Sequence, residues 1–273
     1  MSTVIDSHVS DAVFSRTHGA GKDLVFLHGW GMNSGAFSSF IPYLENDWRV
    51  TVIDLPGFGN SREHLPHPYN VETIAASLED KLPDNCVIAG WSLGGMVAQQ
   101  LALTVPDTIS GVITIASTPR FIGGGGWPGI EPDLLAQFET QLETDYRKTL
   151  DRFLAIQAMG SDTARQDIKA IKKHITAFPD PAPHALKEGL KLLSSEDLRS
   201  RIGRISQPTL RLYGRLDSLV PTSGIDMICE LHPQSDTVVL PHAAHAPFIS
   251  HPQQTADIIT QFMVTLSQRR KAS

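Results

Sequence analysis

VIAGWSLGGMVAQQLAL (residues 87–103) sets one serine, Ser92, among glycines, after a short apolar run and ahead of a long apolar-rich one. Gly90-Trp91-Ser92-Leu93-Gly94 matches G-x-S-x-G, and the pattern around it is the one that motif needs: a strand before and a helix after. A tight strand-to-helix turn strains the serine backbone and lifts its Oγ above the sheet edge. Glycines on either side leave room for a turn that a Cβ would block. The N-terminus of the following helix favours developing negative charge. The competing reading is a serine that merely caps the helix.

Working outward from Ser92, short β-type runs alternate with helical patterns. DLVFLHG (23–29), WRVTVIDLPG (48–57), NCVIAG (85–90) and GVITIAS (111–117) read as strands, each apolar on both faces, as central strands of a helix-covered parallel sheet are. Residues 71–82 and 93–104 read as helices between them. This βαβα order predicts an α/β fold, a mostly parallel central sheet flanked by helices. The pattern breaks at TPRFIGGGGWPGIEP (118–132), dense in Gly and Pro, after which 133–195 is mostly helical with punctuation at Met159-Gly160 and FPDPAP (178–183). Strand patterns return at PTLRLYG (208–214) and DTVVLPHA (236–243), and a last helix covers about 252–268. The predicted organisation is one core in two parts, 1–118 and 196–273, interrupted by a helical lid insertion at 119–195.

Composition narrows the function classes. The chain has 273 residues, 41% hydrophobic and 19% charged, with a net charge of −6. That balance predicts a soluble globular protein with no bulk attraction to nucleic acid or to an anionic membrane. MSTVIDSHVSDAVF at the start lacks a basic segment followed by an apolar run and predicts no secretory leader. No apolar stretch is long enough to span a bilayer. Cys86 and Cys229 form neither a CxxC pair nor a disulfide framework and read as reduced core cysteines of a cytoplasmic protein. Lone histidines and carboxylates show no ligand spacing and there is no HExxH, so neither a metal nor another cofactor is expected.

A serine needs a base and an acid. With the chain order Ser, acid, His, YGRLDSLVP places Asp217 just beyond one strand end and HAAHAPFISHP places His245 just beyond the next, where sites form in open α/β sheets. His245 would take the Ser92 proton, and Asp217 would fix the His245 tautomer. His242 competes with His245, but still lies near the strand; Asp54, before LPGFG, competes with Asp217 and reads as structural. The oxyanion needs aimed N–H donors: the amide of Leu93, and the amide of Trp30 in His28-Gly29-Trp30-Gly31, whose glycines let the backbone approach a substrate. The Trp30 ring is a candidate wall of the acyl pocket.

Together these elements resemble the α/β-hydrolases over the full length, from LHGWG through DLPGFGNS and GWSLGG to HAAHAPFISHP. A serine nucleophile sets the chain apart from the dehalogenase and epoxide hydrolase branches, which use aspartate there. LHGWGMN, GWSLGGMVA, WPGIEPDLLAQF, DRFLAIQAMGSDTARQD, LRLYGRLDSLVP and AAHAPFISHP resemble the pimeloyl-[acyl-carrier protein] methyl ester esterase family of biotin synthesis, and the insertion carries the more specific part of that likeness. The resemblance implies a serine carboxylesterase that releases methanol and pimeloyl-acyl carrier protein while sparing the thioester. It implies substrate contacts from Trp30, Ser92, Leu93 and His245 and, in the insertion, from Phe153, Leu154, Ala155, Ile156 and Gln157. Leu150, Phe153 and Leu154 read as one apolar helix stripe.

Acyl carrier proteins are acidic, so a partner presents a local basic patch. Residues 147–173 carry seven Lys/Arg against Asp151, Asp162 and Asp167, a local charge of +4 in an acidic chain. The family likeness puts carrier docking on Lys148, Arg152, Arg165 and Lys169, two pairs each four residues apart on a helix face. Lys148 and Lys169 stand where the family pattern has arginine, which keeps the charge and weakens bidentate binding. The expected protein is a cytoplasmic monomer. The alternatives are a generalist short-chain carboxylesterase, a carbon–carbon bond hydrolase, and, outside enzymes, a ligand-binding sensor on the same fold.

Overall fold

The computed structural model describes residues 13–159, 161 and 163–272, and the side chains through residue 268. The opening residues 1–12, from which no leader is predicted, and Asp162 of the basic segment lie outside the described residues. In chain order the elements are β1 (Ser15–His18), β2 (Lys22–Leu27), β3 (Trp48–Ile53), α1 (Val71–Ala76), β4 (Cys86–Trp91), α2 (Leu93–Thr104), β5 (Ile109–Ile115), α3 (Pro132–Thr144), α4 (Tyr146–Gln157), α5 (Ala164–Ile175), α6 (Pro183–Ser195), β6 (Thr209–Gly214), α7 (Ile225–Leu231), β7 (Asp236–Leu240), α8 (Pro247–Ser250) and α9 (Pro252–Ala272).

The seven strands form one sheet in the order β1-β3-β2-β4-β5-β6-β7, parallel throughout except for β1 against β3. The strands are apolar at consecutive positions because the sheet is buried on both sides. Val25, Leu27, Ile53, Ile88, Val112 and Tyr213 face one apolar cluster with α1, α2 and α7. The alternate residues Leu24, Phe26, Val50, Val52, Ala89, Ile113 and Leu212 face a second, with Phe37, Phe40, Phe248 and the Ile259–Met263 face of α9. A period of two resolved into two cores is what a covered parallel sheet requires. The strand order reverses at β2, whose neighbours are β3 and β4, and the loops leaving β2 and β4 open the crevice where such sheets bind ligands. Leu27 pairs with Gly90 in register, so the His28–Gly31 loop leaves beside the turn at Ser92.

Two elements depart from the sequence expectation. β1, SRTH, is polar and half-buried and joins the sheet by backbone pairing and a Thr17–Thr51 hydroxyl hydrogen bond (2.9 Å), so it carries no apolar signature. The helix expected over 71–82 ends after six residues: the Ser77 hydroxyl turns back onto the Thr73 carbonyl (2.8 Å), Leu78 N–H bonds to Ala75 (2.9 Å), and a separate 3-10 turn follows at Glu79–Lys81. Serine back-bonding of this kind competes with helix continuation. The last helix runs past the expected end, to Ala272.

β6 carries a buried cation. The Arg211 guanidinium, fully buried, donates to Ser235 Oγ (3.2 Å), Gln99 Oε1 (3.2 Å) and His232 Nδ1 (2.9 Å), while His232 Nε2–H donates to the Ile205 carbonyl (3.1 Å). That network requires neutral His232. Burial, with the adjacent Arg211 charge, pushes its pKa down to about 4. The unfolded chain takes up a proton near the ordinary value of about 6.5 and the folded chain does not. Stability is therefore complete above that value and falls as pH drops from it toward 4. The melting temperature should decline over this window, and His232→Asn, which cannot titrate, should show a shallower decline when both are followed by circular dichroism.

Candidate active site

Ser92 lies between the end of β4 and the start of α2 with φ 56° and ψ −121°, a left-handed conformation that costs a non-glycine residue about 1–3 kcal/mol. Three glycines permit it. A Cβ at Gly90 would sit 2.1 Å from the Gly94 carbonyl oxygen, one at Gly94 would sit 2.4 Å from that of Leu27, and one at Gly29 would press to 3.2 Å on Ser92 Cβ. Ser92 N–H donates to Ile115 (2.9 Å), and the Ser92 carbonyl accepts from Gly95 N–H (2.9 Å) and Ser117 Oγ (2.7 Å), which lock the turn. The serine does not cap α2: its Oγ makes no capping hydrogen bond.

The other two predicted residues meet. His245 Nδ1 lies 2.8 Å from Asp217 Oδ2, both side chains fully buried. Asp217 follows the end of β6, and its Oδ1 accepts from the Leu219 (2.8 Å) and Val220 (3.0 Å) N–H groups, which fixes the carboxylate plane. His245 is clamped by its backbone: its N–H donates to the Gln157 carbonyl (3.1 Å) and its carbonyl accepts from Trp91 Nε1 (2.8 Å). The carboxylate makes Nδ1 the protonated nitrogen and leaves Nε2 as the acceptor. That Nε2 is buried and has no hydrogen-bond partner among the described residues. His242 is exposed. Asp54 is committed elsewhere, accepting from Ser34 N–H (2.6 Å) and Asn60 N–H (2.8 Å) and so tying the loops after β2 and β3 together.

The loop after β2 is equally fixed. His28 is buried, with Nδ1 on the Gly29 carbonyl (2.8 Å) and Nε2 accepting from Leu55 N–H (2.9 Å), and burial holds its pKa below the ordinary range. The Trp30 and Leu93 amides, the predicted oxyanion donors, have no acceptor among the described residues. Trp30 is wholly buried; its indole N–H donates to the Leu186 carbonyl of α6 (2.9 Å), and its ring meets Phe153 of α4 edge-on at 4.9 Å. Phe153 in turn meets Phe138 of α3 at 5.6 Å. Each such pair contributes about 0.5–1.5 kcal/mol beyond area burial. A Cβ at Gly31 would strike Leu150, so the helical insertion sits directly on the loop after β2.

α4 brings Phe153, Leu154 and Gln157 against the core and leaves Ile156 half-buried and Ala155 exposed. A run of five helical residues spans all faces, so the FLAIQ segment is not one surface, and Ala155 is its exposed member. Leu150 is half-buried on the same stripe as Phe153 and Leu154. Sequence reasoning missed that the Gln157 side chain is buried with both its amide oxygen and nitrogen unpartnered; only the environment of a side chain, not its identity, reveals that. No group of three metal-binding side chains occurs among the described residues.

Ser92 Oγ and His245 Nε2 form no hydrogen bond with each other; a serine on a strained turn, an imidazole acceptor oriented by a carboxylate and two free amides are the parts that acyl transfer through a tetrahedral intermediate requires. The alpha/beta hydrolase fold family matches residues 23–252. Solved structures of that fold superpose closely: an esterase from Exiguobacterium antarcticum (TM-score 0.81, 22% identity, 96% of this chain and 99% of that one) and a bromoperoxidase from Bacillus anthracis (TM-score 0.80, 21% identity, 92% and 95%). At higher identity stand proteins named pimeloyl-[acyl-carrier protein] methyl ester esterase, from Aeromonas hydrophila (48% identical, covering 90% of this chain and 96% of that one) and Photobacterium profundum (46%, covering 93% and 100%). The chain belongs to the α/β-hydrolase fold family and, within it, to the family of those esterases.

Ser92→Ala should lower ester hydrolysis about 10⁴-fold or more with an unchanged circular dichroism spectrum, and should lose labelling by a fluorophosphonate. Asp217→Asn should lower kcat about 10⁴-fold in the same assay, because an amide at this position leaves the His245 tautomer unspecified.

Proposed function

We propose that the protein is a serine carboxylesterase that hydrolyses the methyl ester of pimeloyl-[acyl-carrier protein] methyl ester, releasing methanol and pimeloyl-[acyl-carrier protein]. The observation that carries this reading is the extent of the likeness to the relatives of that name. An alignment covering 90% of the chain at 48% identity omits too few residues to skip α3–α6, the part that differs most among hydrolases of this fold.

In the mechanism, Ser92 Oγ attacks the ester carbonyl carbon as His245 Nε2 takes its proton. The Trp30 and Leu93 N–H groups hold the oxyanion. His245 then protonates the departing methoxide, and water clears the acyl-enzyme by the reverse proton path. Asp217 stabilises the imidazolium charge on His245 between these steps. The apolar side chains of Trp30, Phe153, Leu154 and Ile156 take the methylene chain. The reaction consumes no metal or organic cofactor. Two unpaired cysteines suit a cytoplasmic site of action.

The carrier docks on the outer face of α4 and α5. Lys148, Arg152, Arg165 and Lys169 are all exposed. Two other cations of the segment are taken up internally, Arg147 by Asp180 (2.8 Å) and Lys172 by Asp151 (2.7 Å). Lys148, Arg165 and Lys169 have no acidic partner among the described residues, and Arg152 is held only by Gln137, Gln141 and the Phe138 ring. Free cations projecting from one segment favour encounter with an acidic partner.

The test supplies carrier-bound pimeloyl methyl ester beside free dimethyl pimelate and reads the product by intact mass. Loss of one methylene mass with the thioester kept, at a much higher kcat/KM than for the free diester, supports the reading; comparable rates or thioester cleavage overturn it. The double variant Arg165→Glu/Lys169→Glu should lower kcat/KM about tenfold or more on the carrier-bound ester and leave the free diester unaffected. Equal losses on both would remove the docking face from the reading.

A further inference from the structure

We propose that Gln157 is the water-positioning residue of deacylation: its side-chain amide holds the hydrolytic water against the acyl-Ser92 ester. The proposal rests on the serine esterase reading and assigns Gln157 a chemical task rather than a place in the acyl wall.

Gln157 closes α4 one turn beyond Phe153, on the face that carries Phe153 and Leu154 into the core. Phe153 stands edge-on to Trp30, the oxyanion residue, at 4.9 Å. At the other end of that turn the Gln157 carbonyl accepts the His245 N–H at 3.1 Å. The Gln157 backbone is therefore bonded to the backbone of the general base, and its side chain shares a helix face with Phe153, the ring packed on Trp30. It is 2% exposed, and both amide atoms lack a hydrogen-bond partner among the described residues. A buried primary amide without partners is destabilising, and an apolar residue of similar shape would remove the penalty. A second orphaned polar atom, Nε2, belongs to His245, the residue whose backbone N–H the Gln157 carbonyl accepts. A molecule that donates one hydrogen to each acceptor satisfies both, and water is the reactant of the second half-reaction.

With the acyl-enzyme formed and methanol gone, water gives one hydrogen bond to Gln157 Oε1 and one to His245 Nε2, which leaves an oxygen lone pair for the acyl carbon. The C–O bond forms as the second proton passes to Nε2. The tetrahedral intermediate then collapses, the C–Oγ bond breaks, and His245 returns the proton to Ser92 Oγ. The carboxylic acid leaves, and no oxidant or co-reactant is required. Fixing the water in an attack geometry converts an encounter from bulk solvent into an intramolecular step.

Gln157→Leu separates the half-reactions. With p-nitrophenyl butyrate it should give a stoichiometric burst at the wild-type rate, then a steady state about 10–100-fold slower. kcat and KM should fall together so that kcat/KM is preserved, and intact mass should show a butyryl adduct that disappears in Gln157→Leu/Ser92→Ala. Its Tm should rise by about 2–4 °C, since the unpaired amide is gone. Gln157→Glu, which keeps an acceptor at the same reach, should restore most of the turnover. Should the leucine variant fail to fold, Gln157→Met offers the same length without a hydrogen bond. Loss of kcat/KM in step with kcat and without a trapped adduct, or turnover at the wild-type rate, overturns the proposal. Turnover retained in Ser92→Ala overturns the serine mechanism beneath it.

Discussion

The reacting end of this molecule depends on a close approach of bare backbone. Where β4 turns into α2, the chain at Gly90 and Gly94 abuts itself, and Gly94 also abuts the end of β2, so tightly that a single methyl group at either glycine would collide with a carbonyl oxygen. The left-handed backbone of Ser92 is held by three hydrogen bonds to β5, to Gly95 and to Ser117, not by any preference of serine for that conformation. The apolar layers on both sheet faces offset the strain, because β2, β4 and β5 cannot move apart without opening both. The strained Ser92 turn and the two free amides of Trp30 and Leu93 thus follow from one packing condition at the point where the strand order reverses.

Two buried aspartates show how one residue type is divided between structure and chemistry. Asp54 spends its oxygens on the amides of two loops and holds the β2 exit against the β3 exit. Asp217 spends one oxygen on its own turn and keeps the other for His245. Both follow a strand and both are buried, so burial alone does not distinguish them. The distinction lies in whether an imidazole completes the set.

Much of this was legible in the sequence. Apolar runs on both faces of β2 to β6 announce a covered parallel sheet, and the G-x-S-x-G stretch marks which strand ends in the candidate nucleophile. The order of chain and strand ends singles out Asp217 and His245, and separates His245 from exposed His242, because loop and strand positions differ in direction even three residues apart. What the sequence withheld was decided by distant partners. SRTH becomes β1 only by pairing with β3. The helix after Asn70 stops because a serine hydroxyl finds a carbonyl one turn back. Arg147 and Lys172 are neutralised by Asp180 and Asp151 brought near by folding, so a count of charges along 147–173 overstates the free ones. Gln157 reads, by family resemblance, as one of the substrate contacts, but nothing in the sequence tells that its buried amide lacks a hydrogen-bond partner among the described residues.

The seating of the helical insertion has a thermodynamic consequence. Ser92 and His245 are 2% and 0% exposed, and the Trp30 indole is bound to α6 through its N–H and to α4 through its ring. Where a substrate carbonyl can reach Ser92 only by parting those contacts, the binding-competent state is a minor population. The apparent affinity for any ester is its intrinsic affinity reduced by that population. A small free ester bears the whole of this reduction. A partner that grips the outside of α4 and α5 while its cargo enters beneath them can shift the population itself, provided that it binds the parted arrangement more tightly than the seated one. Selectivity between large and small substrates then arises from the opening equilibrium, with identical chemistry at the serine.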